Sequence, residues 1–139
     1  MKLVVDASVA IKWYVPEEHS IQAISLLDRG LGLTAPDLIY AEVGNTLWKK
    51  ARRADLSRED AAGIFSTFRK FSLEIHPSAR LHAAAFELAT ALDLSYYDSL
   101  YLALAVDQDC AVVTADLRFH DSVKAGPLAD HVRWIGEDR

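Results

Sequence analysis

The sequence predicts an α/β domain: a parallel sheet with helices covering both faces. Two observations carry this. Short apolar runs of strand length alternate with longer segments of helical period along the whole chain. The runs Leu3-Val4-Val5 and Ala111-Val112-Val113-Thr114 are continuously apolar, as strands buried on both faces are. With 139 residues the chain has room for one domain with a real core and too little for two ordinary ones, so residues 1–139 are read as a single domain.

The elements follow in order. Leu3–Val5 is the first strand. Val9–Tyr14 is a short helix stopped by Pro16, and Glu18–Arg29 is a helix ended by Gly30. Leu33-Thr34-Ala35 is a strand, after which Pro36 suits the first turn of a helix reaching about Arg53. Ser57 with Asp60 three residues on forms a capping box that opens the next helix. Leu73–Ile75 is a strand before Pro77, followed by helices over Ser78–Leu92 and Ser95–Asp107. Ala111–Thr114 and Val132–Ile135 are the last two strands. No repeat, low-complexity tract or flexible linker interrupts this order.

Composition narrows the function classes. Hydrophobic residues make up 51% and charged residues 25%, the balance of a soluble globular chain. No run of apolar residues is long enough to span a bilayer. Only three apolar residues separate Lys2 from Asp6, which gives no expectation of a signal peptide. The single cysteine, Cys110, excludes an internal disulfide and a cysteine zinc site, and a reducing cytoplasm fits this usage. The net charge of −5 argues against a surface coated in positive charge. Setting four acids aside leaves the remaining charges nearly balanced, so the acidity is read as local.

Those four acids are the informative feature. Asp6 follows the first strand and Asp116 follows the fourth, while Glu42 and Asp98 lie within the first two turns of helices. In an open parallel sheet, strand carboxyl ends share one edge and ligands bind outside it. All four acids can therefore face one crevice, and a crowded acidic crevice points to a divalent cation. Each acid also has an ordinary structural reading. Asp6 and Asp116 suit helix N-caps, Asp98 can be the acidic arm of a capping box begun by Ser95, and Glu42 can be a helix-face acid. Against these, Asp98 shares an inward stripe with Leu94, Tyr101, Leu102 and Ala105. Glu42 lies where an apolar face, Leu38 and Ile39, turns polar at Asn45 and Thr46.

Other features are read more plainly. Ser8 and Thr114 could brace carboxylates, or serve as a helix cap and a strand residue. Asp121 is a candidate fifth acid of the set, with a solvated loop acid as the favoured reading. The basic run Lys49-Lys50-Ala51-Arg52-Arg53 suits a helix C-terminus, with a phosphate-contacting patch as the alternative. Trp13, Trp48 and Trp134 are expected to pack. No P-loop, nucleophile elbow, dinucleotide glycine pattern or histidine metal spacing is present.

Four segments together resemble a known family. They are Asp6-Ala7-Ser8-Val9-Ala10-Ile11-Lys12-Trp13 with Pro16-Glu17-Glu18, Pro36-Asp37-Leu38 through Ala41-Glu42-Val43 to Leu47-Trp48, Tyr97-Asp98-Ser99-Leu100-Tyr101-Leu102-Ala103-Leu104-Ala105, and Val113-Thr114-Ala115-Asp116. Across essentially its whole length the chain resembles the PIN-domain ribonucleases, and within them the VapC-type toxins of toxin–antitoxin pairs. The resemblance implies a three-layer α/β/α sandwich with a five-stranded parallel sheet. It implies Asp6, Glu42, Asp98 and Asp116 as the catalytic, metal-binding set, with Mg²⁺ or Mn²⁺ as cofactor. It also implies an RNA phosphodiester as substrate, a VapB-type antitoxin as partner and a homodimer, to which the helical region from about Leu38 to Phe71, with Leu47, Trp48, Ile64, Phe65, Phe68 and Phe71, is expected to contribute.

An oxygen-only donor set without a Cys/His cluster favours Mg²⁺ or Mn²⁺ over Zn²⁺. A phosphatase of the haloacid-dehalogenase type would want a second Asp where Ser8 stands, and a phospho-receiver domain would want paired acids after the first strand. A non-toxin or catalytically silent PIN protein, acting in RNA processing or as a binding scaffold, is the remaining alternative.

Overall fold

A computed structural model describes residues 1–137, two short of the single domain read over 1–139. Five parallel strands form one sheet in the order β3-β2-β1-β4-β5. They are β1 Lys2–Val5, β2 Gly32–Pro36, β3 Glu74–His76, β4 Ala111–Thr114 and β5 Val132–Trp134. The helices are α1 Ala7–Ala10, α2 Ser20–Ser25, α3 Leu38–Arg52, α4 Arg58–Lys70, α5 His82–Leu92, α6 Tyr96–Asp107 and α7 Leu117–Lys124. This is the predicted three-layer arrangement. Right-handed crossovers running from β1 to β3 put α1 to α4 on one face, and those returning through β4 to β5 put α5 to α7 on the other.

The central strands explain the continuous apolar runs. Leu3, Val4, Val5, Val112 and Val113 are all buried, each covered from both faces. Helix α6 packs on β1, β2 and β4 beneath α5, and every residue from Ser99 to Ala105 is buried. A helix buried all round needs no polar face, which accounts for its unbroken apolar sequence. On the other layer Phe68 is fully buried, and a Cβ at Gly44 would press on the Phe65 ring at 3.3 Å, so the glycine lets α4 approach α3.

Several boundaries differ from the sequence reading. The first helix begins at Ala7, capped by Asp6 through the Ser8 amide, and tightens into a 3₁₀ turn over Ile11–Trp13. The second is shortened to Ser20–Ser25, followed by a 3₁₀ turn at Leu26–Asp28. Pro36 ends β2 instead of opening α3. The structure adds helix α7, which the sequence pattern does not predict. Its signal was Asp116 as cap with Phe119 and Val123 one turn apart, and both are buried.

Candidate active site

The strand order reverses between β1 and β4, since the chain goes outward through β2 and β3 on one side and through β5 on the other. The register pairs Val5 with Val113, and the Asp6 amide donates to the Val113 carbonyl at 3.2 Å. Asp6 and Asp116 therefore leave the sheet side by side at its switch point, where ligands of open α/β sheets bind. Glu42 arrives on α3 and Asp98 on α6. The four acids line one crevice of about 290 Å³, with Ser8, Asn45, Thr46 and Lys49 completing its wall. A smaller recess, shared by Asp98 and Asp116, opens beside it toward Arg118 and Ser122.

The structural and functional readings of the acids turn out to be compatible. Asp116 caps α7, its Oδ1 accepting from the amides of Arg118 at 2.9 Å and Phe119 at 3.4 Å. Ser95 Oγ caps α6 by accepting from the Asp98 amide at 3.1 Å. Each cap fixes the backbone that carries an acid and aims the acid at the crevice.

Asp6 is 5% exposed and is held by hydroxyls. Its Oδ2 accepts from Thr114 Oγ1 at 2.7 Å and from Ser8 Oγ at 3.1 Å. Thr114 Oγ1 in turn accepts from the Asp116 amide at 3.0 Å, and Ser8 Oγ accepts from the Ala115 amide at 3.0 Å. Ser8 is thus inside α1 and not its cap, and both hydroxyls brace the acids. Asp121 has its side chain in water beside His120, on α7 instead of in a loop.

Crowding shows in the electrostatics. Burial, with the charges of Asp6, Asp116 and Glu42, pushes the Asp98 carboxyl up to about 7. Burial also raises Glu42, with Asp6 adding repulsion, and raises Asp6 despite its hydroxyl partners. Glu42 Oε1 and Tyr101 Oη are buried without a well-formed hydrogen bond, yet the phenol lies close enough to Glu42 to offset part of the upward push on its carboxyl. The fully buried Tyr101 phenol is close enough to Asp6 and Glu42 that their charges, after burial itself, push it well above its ordinary range. Tyr101 was legible only as part of the inward stripe three residues beyond Asp98; its polar end, aimed at the acids, was not. Among the described residues no three His, Cys, Asp or Glu side chains converge tightly enough to enclose an ion as they stand. The donor set is all oxygen and includes a buried carboxylate oxygen without a well-formed hydrogen bond, which fits a hard divalent cation.

One sequence expectation needs correction: Trp13 packs against Phe71 at 5.0 Å and Trp134 lies edge-on to His19, but Trp48 is 55% exposed. Of the large apolar groups named between Leu38 and Phe71, Trp48 is the exposed one. Leu47 and Phe68 are core, and Ile64, Phe65 and Phe71 are spent on packing inside the chain.

A sheet of this order with acids gathered at its switch point defines a PIN-like α/β/α domain. The PIN domain family matches residues 3–124, and the chain belongs to that family. It is 37% identical over 127 residues to Ribonuclease VapC3 of Pyrobaculum aerophilum, covering 90% of this chain and 97% of that one. It is 33% identical over 123 residues to Ribonuclease VapC9 of Mycobacterium tuberculosis, covering 88% and 92%. Solved structures agree on the fold. The Pyrobaculum aerophilum protein PAE2754 superposes with a TM-score of 0.72 at 21% identity, over 98% of this chain and 85% of that one. VapBC2 of Rickettsia felis, bound to a DNA fragment from its promoter, gives 0.67 at 14%, over 96% and 98%.

Proposed function

We propose that this chain is a divalent-metal-dependent endoribonuclease and the toxin of a VapBC-type toxin–antitoxin pair. The observation that carries the reading is the meeting of Asp6, Glu42, Asp98 and Asp116 in one crevice at the β1/β4 switch point. The ribonuclease names of the relatives support the activity, and the VapBC complex among the structural neighbours supports a VapB-type antitoxin. These acids would hold Mg²⁺ or Mn²⁺, which supplies a polarised water and neutralises charge on the scissile phosphate. Asp6 is the fixed member, its Oδ2 tied by Thr114 and Ser8 and its Oδ1 accepting from the Ser8 amide at 3.4 Å. Asp116 spends Oδ1 on its cap and keeps Oδ2 for the site. Asp98 and Glu42, at the rim, accept or release protons as the crevice changes charge.

No helix among the described residues is long and apolar enough to cross a membrane, and a cytoplasmic location suits an enzyme acting on cellular RNA. For the homodimer we favour α5, whose exposed residues include Phe86 at 64% exposure with Ala83, Ala84 and Ala91. Cleavage of labelled single-stranded RNA with Mg²⁺ or Mn²⁺, its loss on chelation and its loss in Asp98→Asn test the activity. Undiminished cleavage by metal-free protein would remove the metal mechanism.

A further inference from the structure

The basic run at the end of α3 divides by direction. Lys50 turns away from the crevice and joins Lys12 on Glu17, at 2.8 and 3.4 Å, in a partly buried cluster. Burial works against an ionised Glu17, but the two lysines outweigh it and hold the carboxyl below its ordinary value. Lys49, Arg52 and Arg53 are exposed, as is Arg58 at the start of α4, and none of the four takes part in an ion pair among the described residues.

These free cations continue the crevice. At about 100° per residue, Glu42, Thr46, Lys49 and Arg53 form one stripe along α3. Lys49 lies roughly 10 Å along the axis from Glu42 and Arg53 roughly 16 Å. Lys49 lines the acidic crevice and also a second recess formed with Trp48, Arg52 and Arg53. A third recess adjoins it, between Trp48, Arg52 and Arg58. The Arg52 guanidinium sits over the exposed Trp48 ring, 5.4 Å from its centre.

We propose that single-stranded RNA reaches the active site along this stripe, with its phosphates on Lys49, Arg52 and Arg53 and a base stacked on Trp48. The inference rests on the ribonuclease reading above and adds the path of the substrate. Its physical need is plain: a chain of net charge −5 with four acids in its crevice repels a polyanion unless cations adjoin that crevice. An exposed aromatic among cations is how sequence-tolerant single-strand sites are built, since every base has a face to stack. An apolar protein helix would find little here, because Trp48 is the one large apolar side chain lining the two outer recesses.

The test measures fluorescence anisotropy of a labelled oligouridine of about twelve nucleotides with full-length Asp98→Asn protein in Mg²⁺. Adding Lys49→Ala and Arg53→Ala together is expected to weaken binding at least about tenfold at low salt, and to reduce the salt slope by roughly 1.4 for two lost phosphate contacts. Trp48→Ala is expected to weaken binding about fivefold or more with the salt slope unchanged, and Trp48→Phe to keep most of the affinity. Lys124→Ala, which removes one positive charge on exposed α7, is expected to bind as the parent does. Circular dichroism of each variant confirms folding. Parent-like binding by the Trp48 and Lys49/Arg53 variants overturns the proposal while leaving the ribonuclease reading intact. Loss of a protein partner's binding in place of RNA binding overturns it in favour of a protein-docking surface. Absence of metal-dependent cleavage by the unsubstituted protein overturns the ribonuclease reading itself.

Discussion

Replacing Asp98 by Asn is expected to abolish RNA cleavage and yet stabilise the metal-free protein above neutral pH. The Asp98 carboxyl is raised from 3.8 to about 7 by burial and by three neighbouring carboxylates. A folded state that raises an acid's pKa favours its protonated form. The stability associated with this group is complete below about pH 4 and is lost as pH rises through 7. The full displacement corresponds to roughly 4 kcal/mol between the two protonation states. Relaxation and water at the crevice rim reduce what reaches stability, leaving about 1–3 kcal/mol for the substitution at pH 8. For a chain of this size that is a rise in Tm of roughly 3–10 °C. The cap survives the change, because Ser95 supplies the acceptor and Asp98 only its backbone amide. The assay is thermal unfolding of both proteins in chelator at pH 8 and pH 5, where the native carboxyl is protonated but the unfolded one is largely ionised, so the gain should fall to roughly two fifths of its pH 8 size. An equal gain at both pH values, or none at pH 8, would refute the electrostatic reasoning.

Four further outcomes are expected. Thr114→Val removes the 2.7 Å bond to buried Asp6 and the acceptor for the Asp116 amide, and should cost about 1–3 kcal/mol in urea unfolding together with activity. Mg²⁺ at about a hundred times its Kd should stabilise the native protein by roughly 2.7 kcal/mol, read as a rise in Tm that Asp6→Asn loses. Phe86→Lys should convert a dimer to a monomer by light scattering, and a monomeric native protein at micromolar concentration contradicts the α5 interface. Co-expression with its genomic neighbour should yield a complex in which cleavage is suppressed. A basic side chain of the partner, most effectively an Arg, suits the acidic crevice, and its neutral replacement should relieve inhibition more than it weakens assembly.

The sequence by itself determined the strands of the sheet, most of the helices and the four acids, because these rest on local rules. Continuous apolar runs mark Leu3–Val5 and Ala111–Thr114, and Ser57 and Ser95 announce their helices through capping chemistry. Helix α7 escaped because a short segment after Asp116 offers only two apolar residues at helical spacing. What only the tertiary structure decided is which neighbours each side chain meets. The strand order sets Thr114 on Asp6 across 108 residues of chain and so brings Asp116 beside Asp6, a pairing no local pattern encodes. The same is true of Trp48, Lys49 and Lys50, adjacent in sequence yet pointing to solvent, to the acidic crevice and to Glu17. Helical periodicity sets the angle between them, but only the packing of α3 against the rest of the fold decides what lies in each direction.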